Sequence, residues 1–309
     1  MAFFTEDLLT SAKFRSFMPI SQTTFQDSDL ITIANEELLL KVVSDIIAVR
    51  EDFFLATKTT SIVGDIDHYT IPKHAVGNTI KVLLVRDTSG NERVLARIDA
   101  SDRGDFAGAS GQPAKFYFEG DEVVLCPKPD TSTETLVFVY FRKPNKLTDT
   151  ASCAKITGIS SAAGTTTLTV NTDLSGSLSI GSKIDFLSAS SPYLLWSSEV
   201  SITNITSTTI EVATSDIANA VGTVEPQVDD YICPFGYANI PQIPDECVPV
   251  LAQFVAVRAL AGLGDINKWN AAKAELLEMR KESMKLMKNR AEATPISITG
   301  SVLADMFNF

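Results

Sequence analysis

Residues 151–187 read ASCAKITGISSAAGTTTLTVNTDLSGSLSIGSKIDFL, and this serine- and threonine-rich stretch decides the fold class. Apolar and polar residues alternate over Thr166–Val170 and Lys183–Leu187, which predicts short, half-buried strands. The same pattern returns at Glu199–Ile205 and Thr209–Ala213. Closely spaced strands of this kind predict an all-β unit, either a small barrel or a sandwich.

The charge of this stretch also differs from that of its surroundings. Between Ala151 and Tyr231 the chain has two lysines and eight acidic residues, a net charge of −6, which is half of the −12 carried by the whole chain. We therefore expect residues 151–240 to form one inserted all-β domain.

Helices are predicted on the N-terminal side of the insert. Thr5 can cap a first helix that ends before Pro19, and Ser28 or Asp29 can cap a longer helix that reaches about Leu55. The longer helix carries a wide apolar stripe, as expected when a helix packs against more than one neighbour.

The period of the pattern then changes to that of strands. Thr79–Arg86 alternates, Phe116–Leu125 predicts a hairpin around Gly120, and Leu136–Phe141 predicts a strand covered on both faces. The intervening 101–113 predicts a loop.

Helices return after Pro244. Asp245 can cap a helix that continues to Leu260, and Asp265 can cap a second one. The second helix has a narrow apolar seam, typical of a helix packed on a partner helix, and we predict that this seam makes subunit contacts through Trp269, Leu276, Met279 and Leu286.

Together these patterns predict an α+β fold: a helical bundle base, a β-sheet region and an inserted all-β barrel or sandwich domain. The expected domains are 1–150 for the N-terminal helices and hairpin region, 151–240 for the insert, 241–293 for the C-terminal helices that complete the core, and 294–309 for an extended tail.

Composition excludes several classes of protein. The 309 residues include 38 acidic and 26 basic ones, with a pI near 4.7, which argues against a protein that coats nucleic acid or a membrane surface. We expect no membrane-spanning segment and no signal peptide. The four cysteines have no CxxC spacing, so we expect all four to be reduced and mostly buried.

Catalytic chemistry has few candidates in this chain. His68 and His74 are its only histidines, and their spacing across Pro72 suits neither helical nor strand metal ligation, so we interpret them as polar surface residues. Acidic clusters at 99–105 and 229–230 lack the calcium-loop spacing and are interpreted as solvated loops. We predict no catalytic residues, no metal and no cofactor, and therefore no enzyme.

The C-terminal segment is too apolar for a solvated tail. Leaving its aromatic end in water costs about 25 cal/mol per Å² of apolar area, so we expect a partner surface to receive it. The residues predicted to bind that partner are Pro295, Ile296, Ile298, Val302, Leu303, Met306, Phe307 and Phe309.

Three short motifs, in order, resemble the adaptor (head-to-tail connector) proteins of tailed bacteriophages. They are Gly64 with Tyr69-Thr70-Ile71-Pro72, Leu125-Cys126-Pro127-Lys128-Pro129, and Tyr140 with Pro144 and Leu147. The resemblance covers residues 28–150 and 245–292. It implies a ring of twelve copies beneath the portal, a C-terminal tail that docks into the portal, and helices that line or clasp the ring. The β insert departs from compact members and resembles the larger tail tubular or gatekeeper proteins of short-tailed phages.

This resemblance predicts a non-enzymatic virion protein of the neck, assembled in the host cytoplasm. Its expected partners are itself, the portal and a downstream tail, nozzle or fibre protein, with DNA passing through the lumen without specific binding and no membrane involved. The alternative hypothesis is a carbohydrate-binding or adhesin-like module, in which Tyr193 and Trp196 of the insert would contact glycans.

Overall fold

A computed structural model describes residues 3–18, 24–106, 108–190, 195–218 and 226–288. The chain begins with three helices, and a π-helical turn over Leu38–Val42 joins the last two. These helices are α1 (Thr5–Arg15), α2 (Asp27–Glu37) and α3 (Val43–Val49).

The predicted helix starts need correction. Thr5 is the first helical residue rather than the cap, and its buried hydroxyl donates to the carbonyl of Asn239. The second helix begins at Asp27, where the Asp29 carboxylate accepts a hydrogen bond from the Gln26 N–H (2.9 Å). It ends well before Leu55, because a 3₁₀ turn at Glu51–Phe54 leads into the first strand.

The β-sheet region consists of two four-stranded sheets that share one core. Their orders are β1-β8-β3-β4 and β2-β7-β6-β5, and β9 lies apart from both. The core contains the buried side chains Tyr69, Leu83, Phe116, Leu125 and Phe138. The strands are β1 (Leu55–Ser61), β2 (His68–Thr70), β3 (Val82–Arg86), β4 (Glu92–Val94), β5 (Ala96–Arg97), β6 (Lys115–Glu119), β7 (Glu122–Cys126), β8 (Thr135–Phe141) and β9 (Lys146–Leu147).

Sequence patterns located the hairpin and the central strand of this region correctly. The hairpin is β6–β7, and Gly120 adopts a positive φ in its turn. Strand β8 lies between β1 and β3, and four of its seven residues are buried. The predicted loop at 101–113 instead contains a 3₁₀ helix over Ala100–Phe106.

The insert is a closed six-stranded barrel, one of the two predicted alternatives. Its order is β10-β11-β14-β13-β12-β15, so neither side of the sheet is left as a free edge. Ile156, Leu168, Phe186 and Val212 are among the side chains that fill it. The elements are β10 (Ala154–Ala162), β11 (Thr165–Val170), β12 (Lys183–Leu187), β13 (Leu195–Ile205), β14 (Thr209–Ala213), the short helix α4 (Thr214–Ala218) and β15 (Tyr231–Pro234).

A disulfide joins Cys153 to Cys233, so the prediction of four reduced cysteines is wrong. Strands β10 and β15 pair with Ala154 opposite Ile232, and the two cysteines continue that register by one position. Their Cα atoms are 4.5 Å apart, within the range that a disulfide spans. Cys126 and Cys247 are free and buried, as expected.

The chain returns from the barrel through β16 (Tyr237–Ala238), which pairs in parallel with β9, and ends in two helices. These are α5 (Val248–Leu263) and α6 (Ile266–Leu286). Asp265 caps α6 as predicted, accepting from the Lys268 N–H (3.1 Å), but Asp245 lies in a 3₁₀ turn ahead of α5 rather than at its cap.

Helix α5 is the centre of the helical base. It is buried on every side, from Val248 to Leu260 with the exceptions of Pro249 and Arg258, because α1, α2 and α6 surround it. The stretch Asp245–Leu263 is long and apolar enough to cross a membrane by length and composition, and 61% of its most apolar window is buried inside the protein. This burial is that of a core helix.

Candidate interaction surface

A groove of about 980 Å³ runs between the helical base and the segments that lead into and out of the barrel. One wall is the outer face of α2 and the π-helical turn, and the opposite wall combines the segment after β8 with the turn before β16. The lining residues include Ile31, Asn35, Leu38, Leu39, Leu40, Lys73, His74, Lys143, Asn145, Lys146, Leu147, Asp149, Phe235 and Tyr237.

The helical wall owes its shape to the π-helical turn. Core residues recur every four positions at Leu30, Ala34, Leu38, Val42 and Ile46. In a regular α-helix, each residue of this stripe would be rotated by about 40° around the helix axis from the residue four positions earlier. The wider π-helical turn compensates part of this rotation. It leaves two leucines on the groove rim, since Leu39 is 45% and Leu40 72% exposed.

Asn35 connects this wall to Leu147 of β9, which forms the floor of the groove. Its side-chain oxygen accepts from the Leu147 N–H (2.6 Å), and its amide donates to the Leu147 carbonyl (3.1 Å). One side chain therefore satisfies both backbone groups of Leu147, as a neighbouring strand would. The floor is held at a set distance from α2.

A buried carboxylate connects the opposite wall to the barrel. Asp185 is fully buried on β12 and accepts hydrogen bonds from the Asn145 side-chain amide (2.8 Å) and from the N–H groups of Gly236 (2.8 Å) and Glu199 (3.1 Å). Burial raises the pKa of Asp185 to about 6, although these hydrogen bonds act in the opposite direction. Arg142, also buried, favours the charged form electrostatically.

His74 lies beside this connection and is buried, so its interpretation as a surface residue is wrong; His68 is exposed and bonds Asp67 (2.8 Å). Burial, with the neighbouring charges of Arg142 and Lys143, lowers the pKa of His74 to about 4. Its Nε2 has no hydrogen-bond partner among the described residues. His74 is therefore neutral at physiological pH. In the described part of the chain, no three His, Cys, Asp or Glu side chains cluster as a metal site would require.

The groove carries charges of both signs. Lys73 pairs with Glu199 of the barrel (3.2 Å), and Lys143 and Lys146 make no salt bridge within the described ranges. Asp149 lies on the same wall as these lysines, and Asp27 and Glu36 lie on the helical wall. The lining therefore combines three lysines with three acidic residues.

The predicted subunit-contact helix packs mainly within its own chain. Leu276 is buried against α5, and Trp269 and Met279 pack at the edge of the same core. Only Leu286 is well exposed, at 71%. The narrow seam does face a partner helix, but that helix is α5 of the same chain. Leu276 is buried there, Trp269 and Met279 are half-buried, and a subunit contact through these residues remains a prediction.

Two exposed phenylalanines were not singled out from the sequence. Phe14 and Phe17, at the C-terminal end of α1, are 83% and 76% exposed. The buried face of α1 is Thr5, Leu8, Leu9 and Ala12, and Phe14 lies about 200° from Ala12 around the helix axis. A helical wheel of α1 shows that Phe14 faces outward, whereas Phe17 lies beyond the end of the helix and has a positive φ.

Two sets of predicted residues lie outside the described residues. The tail residues Pro295 to Phe309 belong to the segment after residue 288, and Tyr193 belongs to 191–194. Trp196 lies on β13, but its side chain is not described.

Comparison with protein families places this chain. A family model described as SU10 adaptor protein matches residues 22–190, more than half of the chain. The match includes α2, both β-sheets and strands β10 to β12, so it continues beyond residue 150 into the barrel and stops before the C-terminal helices. No curated protein matches the chain.

Proposed function

Since this chain belongs to the SU10 adaptor protein family and is therefore a bacteriophage adaptor structural protein, we propose that it forms a ring between the portal and the tail. The family match is the observation that carries this proposal. By the resemblance of the three motifs, the ring holds twelve copies in the virion neck and is assembled in the host cytoplasm. The downstream partner is a tail, nozzle or fibre protein, and the tubular or gatekeeper type of short-tailed phages fits a chain that carries a barrel.

The mechanism we propose is geometric rather than catalytic. Identical contacts between copies close a ring whose lumen lets DNA pass. The net charge of −12 supports this role, because an acidic conduit does not retain the phosphate backbone. The fold supports it as well, since the helical base, the sheets and the barrel are tied together by buried contacts such as Asn145 with Asp185.

The C-terminal segment is the part we propose to dock on the portal. Deleting residues 294–309 should abolish co-sedimentation with the portal while leaving the circular dichroism spectrum and the unfolding midpoint unchanged. A matched variant that keeps the length, Met306→Ser with Phe307→Ser and Phe309→Ser, should lose binding too, because apolar burial supplies the affinity. Portal binding retained by both variants would refute the docking role of the tail.

Ring formation has a separate test. Native mass spectrometry of the full chain with the portal should show a complex with twelve adaptor copies. A different closed number would correct the stoichiometry, and adaptor chains bound singly, without contact to one another, would refute the ring.

A further inference from the structure

A closed ring needs two different surfaces on each copy, since each subunit contacts one neighbour with one surface and the other neighbour with a second. Much of the seam of α6 is turned inward, because Leu276 is buried and Trp269 and Met279 pack beside it in the same core. Two other apolar features are uncovered: the groove, and the Phe14–Phe17 pair, which we call the aromatic knob. Neither phenylalanine lines the groove.

We propose that the aromatic knob of one copy docks in the groove of the next copy. This inference rests on the proposed ring and names the contact that would close it. Phe14 and Phe17 are the most exposed aromatic side chains in the described ranges. Buried phenylalanines each remove about 150–250 Å² from water, so the pair supplies a large share of the roughly 800 Å² per partner of a stable interface.

The groove has the matching shape and chemistry. Its volume of about 980 Å³ accommodates more than one aromatic ring, and its rim carries the exposed leucines Leu39 and Leu40. Phe235 and Tyr237 line the opposite wall, so a ring that enters meets apolar surface on both sides.

The charges around the two features are mixed. Lys13 and Arg15 lie on either side of Phe14, and they pair with Asp27 (2.5 Å) and Glu275 (3.7 Å) of the same copy. The groove is lined by Asp27, Glu36 and Asp149 as well as by Lys73, Lys143 and Lys146. Apolar burial, rather than charge, is therefore the attraction that the proposed contact uses.

Cysteine crosslinking between two copies tests this contact directly. The parent chain has no accessible thiol among the described residues, because Cys126 and Cys247 are buried and Cys153 is bonded to Cys233. Thr10→Cys lies one turn before Phe14 on α1, and Thr32→Cys lines the groove; both parent threonines are exposed, so the knob and the leucine rim stay intact. The two full-length variants are made separately, one with an affinity tag, and mixed with and without the portal.

A bismaleimide of about 10 Å reach should join Thr10→Cys of one copy to Thr32→Cys of the other. Homotypic mixtures should give at least tenfold less product, and so should the control pair of Thr32→Cys with Ile180→Cys, an exposed barrel position. Adding Phe14→Ser and Phe17→Ser to the Thr10→Cys chain should weaken association about thirtyfold or more, the effect expected of an interface hot spot. Because both phenylalanines are exposed, the unfolding midpoint should not change.

The outcomes separate this contact from the proposed function. A ring without the crosslink overturns the knob-in-groove contact and leaves the adaptor role standing. A dominant Thr10→Cys homodimer overturns it in favour of a symmetric contact. Absence of any self-association, even with the portal present, overturns both the contact and the ring.

Discussion

The disulfide between Cys153 and Cys233 leads to the most quantitative prediction. Reducing it opens a loop with a sequence separation of 80 in the unfolded chain. The chain-entropy relation then gives a loss of about 4.5 kcal/mol in the free energy of unfolding at 25 °C. The segment after β8 contacts the barrel through Asn145 with Asp185 and the helical base through Leu147 with Asn35, so we expect the barrel and the base to unfold in one transition.

The assay uses urea denaturation of oxidised and reduced protein. With an m-value of about 3 kcal/mol per molar, as expected when a chain of this size unfolds in one transition, reduction should lower the midpoint by about 1.5 M. The two tryptophans allow each part to be followed: Trp269→Phe leaves Trp196 on β13 of the barrel, and Trp196→Phe leaves Trp269 on α6 of the base. Both reporters should move together.

Two controls accompany this test of the disulfide, and one result would refute the prediction. Thiol titration of denatured protein should count two thiols before reduction and four after it, as the bonded pair and two free cysteines require. The Cys153→Ala, Cys233→Ala variant should not respond to the reductant. Suppose that four thiols are present after reduction and the free energy of unfolding reported by each tryptophan changes by less than about 1 kcal/mol. The calculation from loop-closure entropy is then refuted.

Four further perturbations follow from the core and the groove. Burial raises the pKa of Asp185 to about 6, so the native state binds a proton more readily than the unfolded chain. The free energy of unfolding should therefore fall by about 3 kcal/mol as pH rises from 4 to above 6. The Asp185→Asn variant should not show this fall when urea midpoints are measured across the same pH range. His74 has the opposite effect on stability, because its pKa of about 4 makes the free energy of unfolding fall as pH drops from 6.5 towards 4. The His74→Gln variant should not show this loss, and its remaining pH dependence should be that of Asp185. Asn35→Ala should cost about 2–3 kcal/mol, since it strands both backbone groups of the floor strand, and an unchanged midpoint would show that water replaces the amide. Leu276→Ala should cost about 2–4 kcal/mol and Leu286→Ala under 0.5 kcal/mol in the unfolding of the isolated chain; equal costs would contradict the assignment of the α6 seam to its own core.

The predicted strands of the barrel succeeded where side chains alternate strongly. Lys183–Leu187 and Thr209–Ala213 match the observed strands residue for residue, because each places apolar side chains on one face of the sheet. Strand β10 was missed because most of Ala154–Ala162 is exposed and composed of small residues. Exposed β1 was missed for the same reason.

The candidate site was far less predictable than the elements around it. The α6 seam was correctly identified as a packing surface, yet its periodicity could not distinguish a helix of the same chain from one of another copy. The groove combines residues from distant parts of the chain. In the aromatic knob only Phe14 left a local signal, its position opposite the buried face of α1.

By itself, the sequence determined the helices and strands that have a strong apolar pattern, where the acidic β-rich insert lies, and which family the chain resembles. These properties are local, because side-chain periodicity records which face of an element is buried. Tertiary structure alone decided that the barrel closes, that Cys153 meets Cys233, and that Asn35 reaches Leu147 across 112 positions. Such pairings depend on how the chain closes over long separations in sequence, and no local pattern encodes that closure.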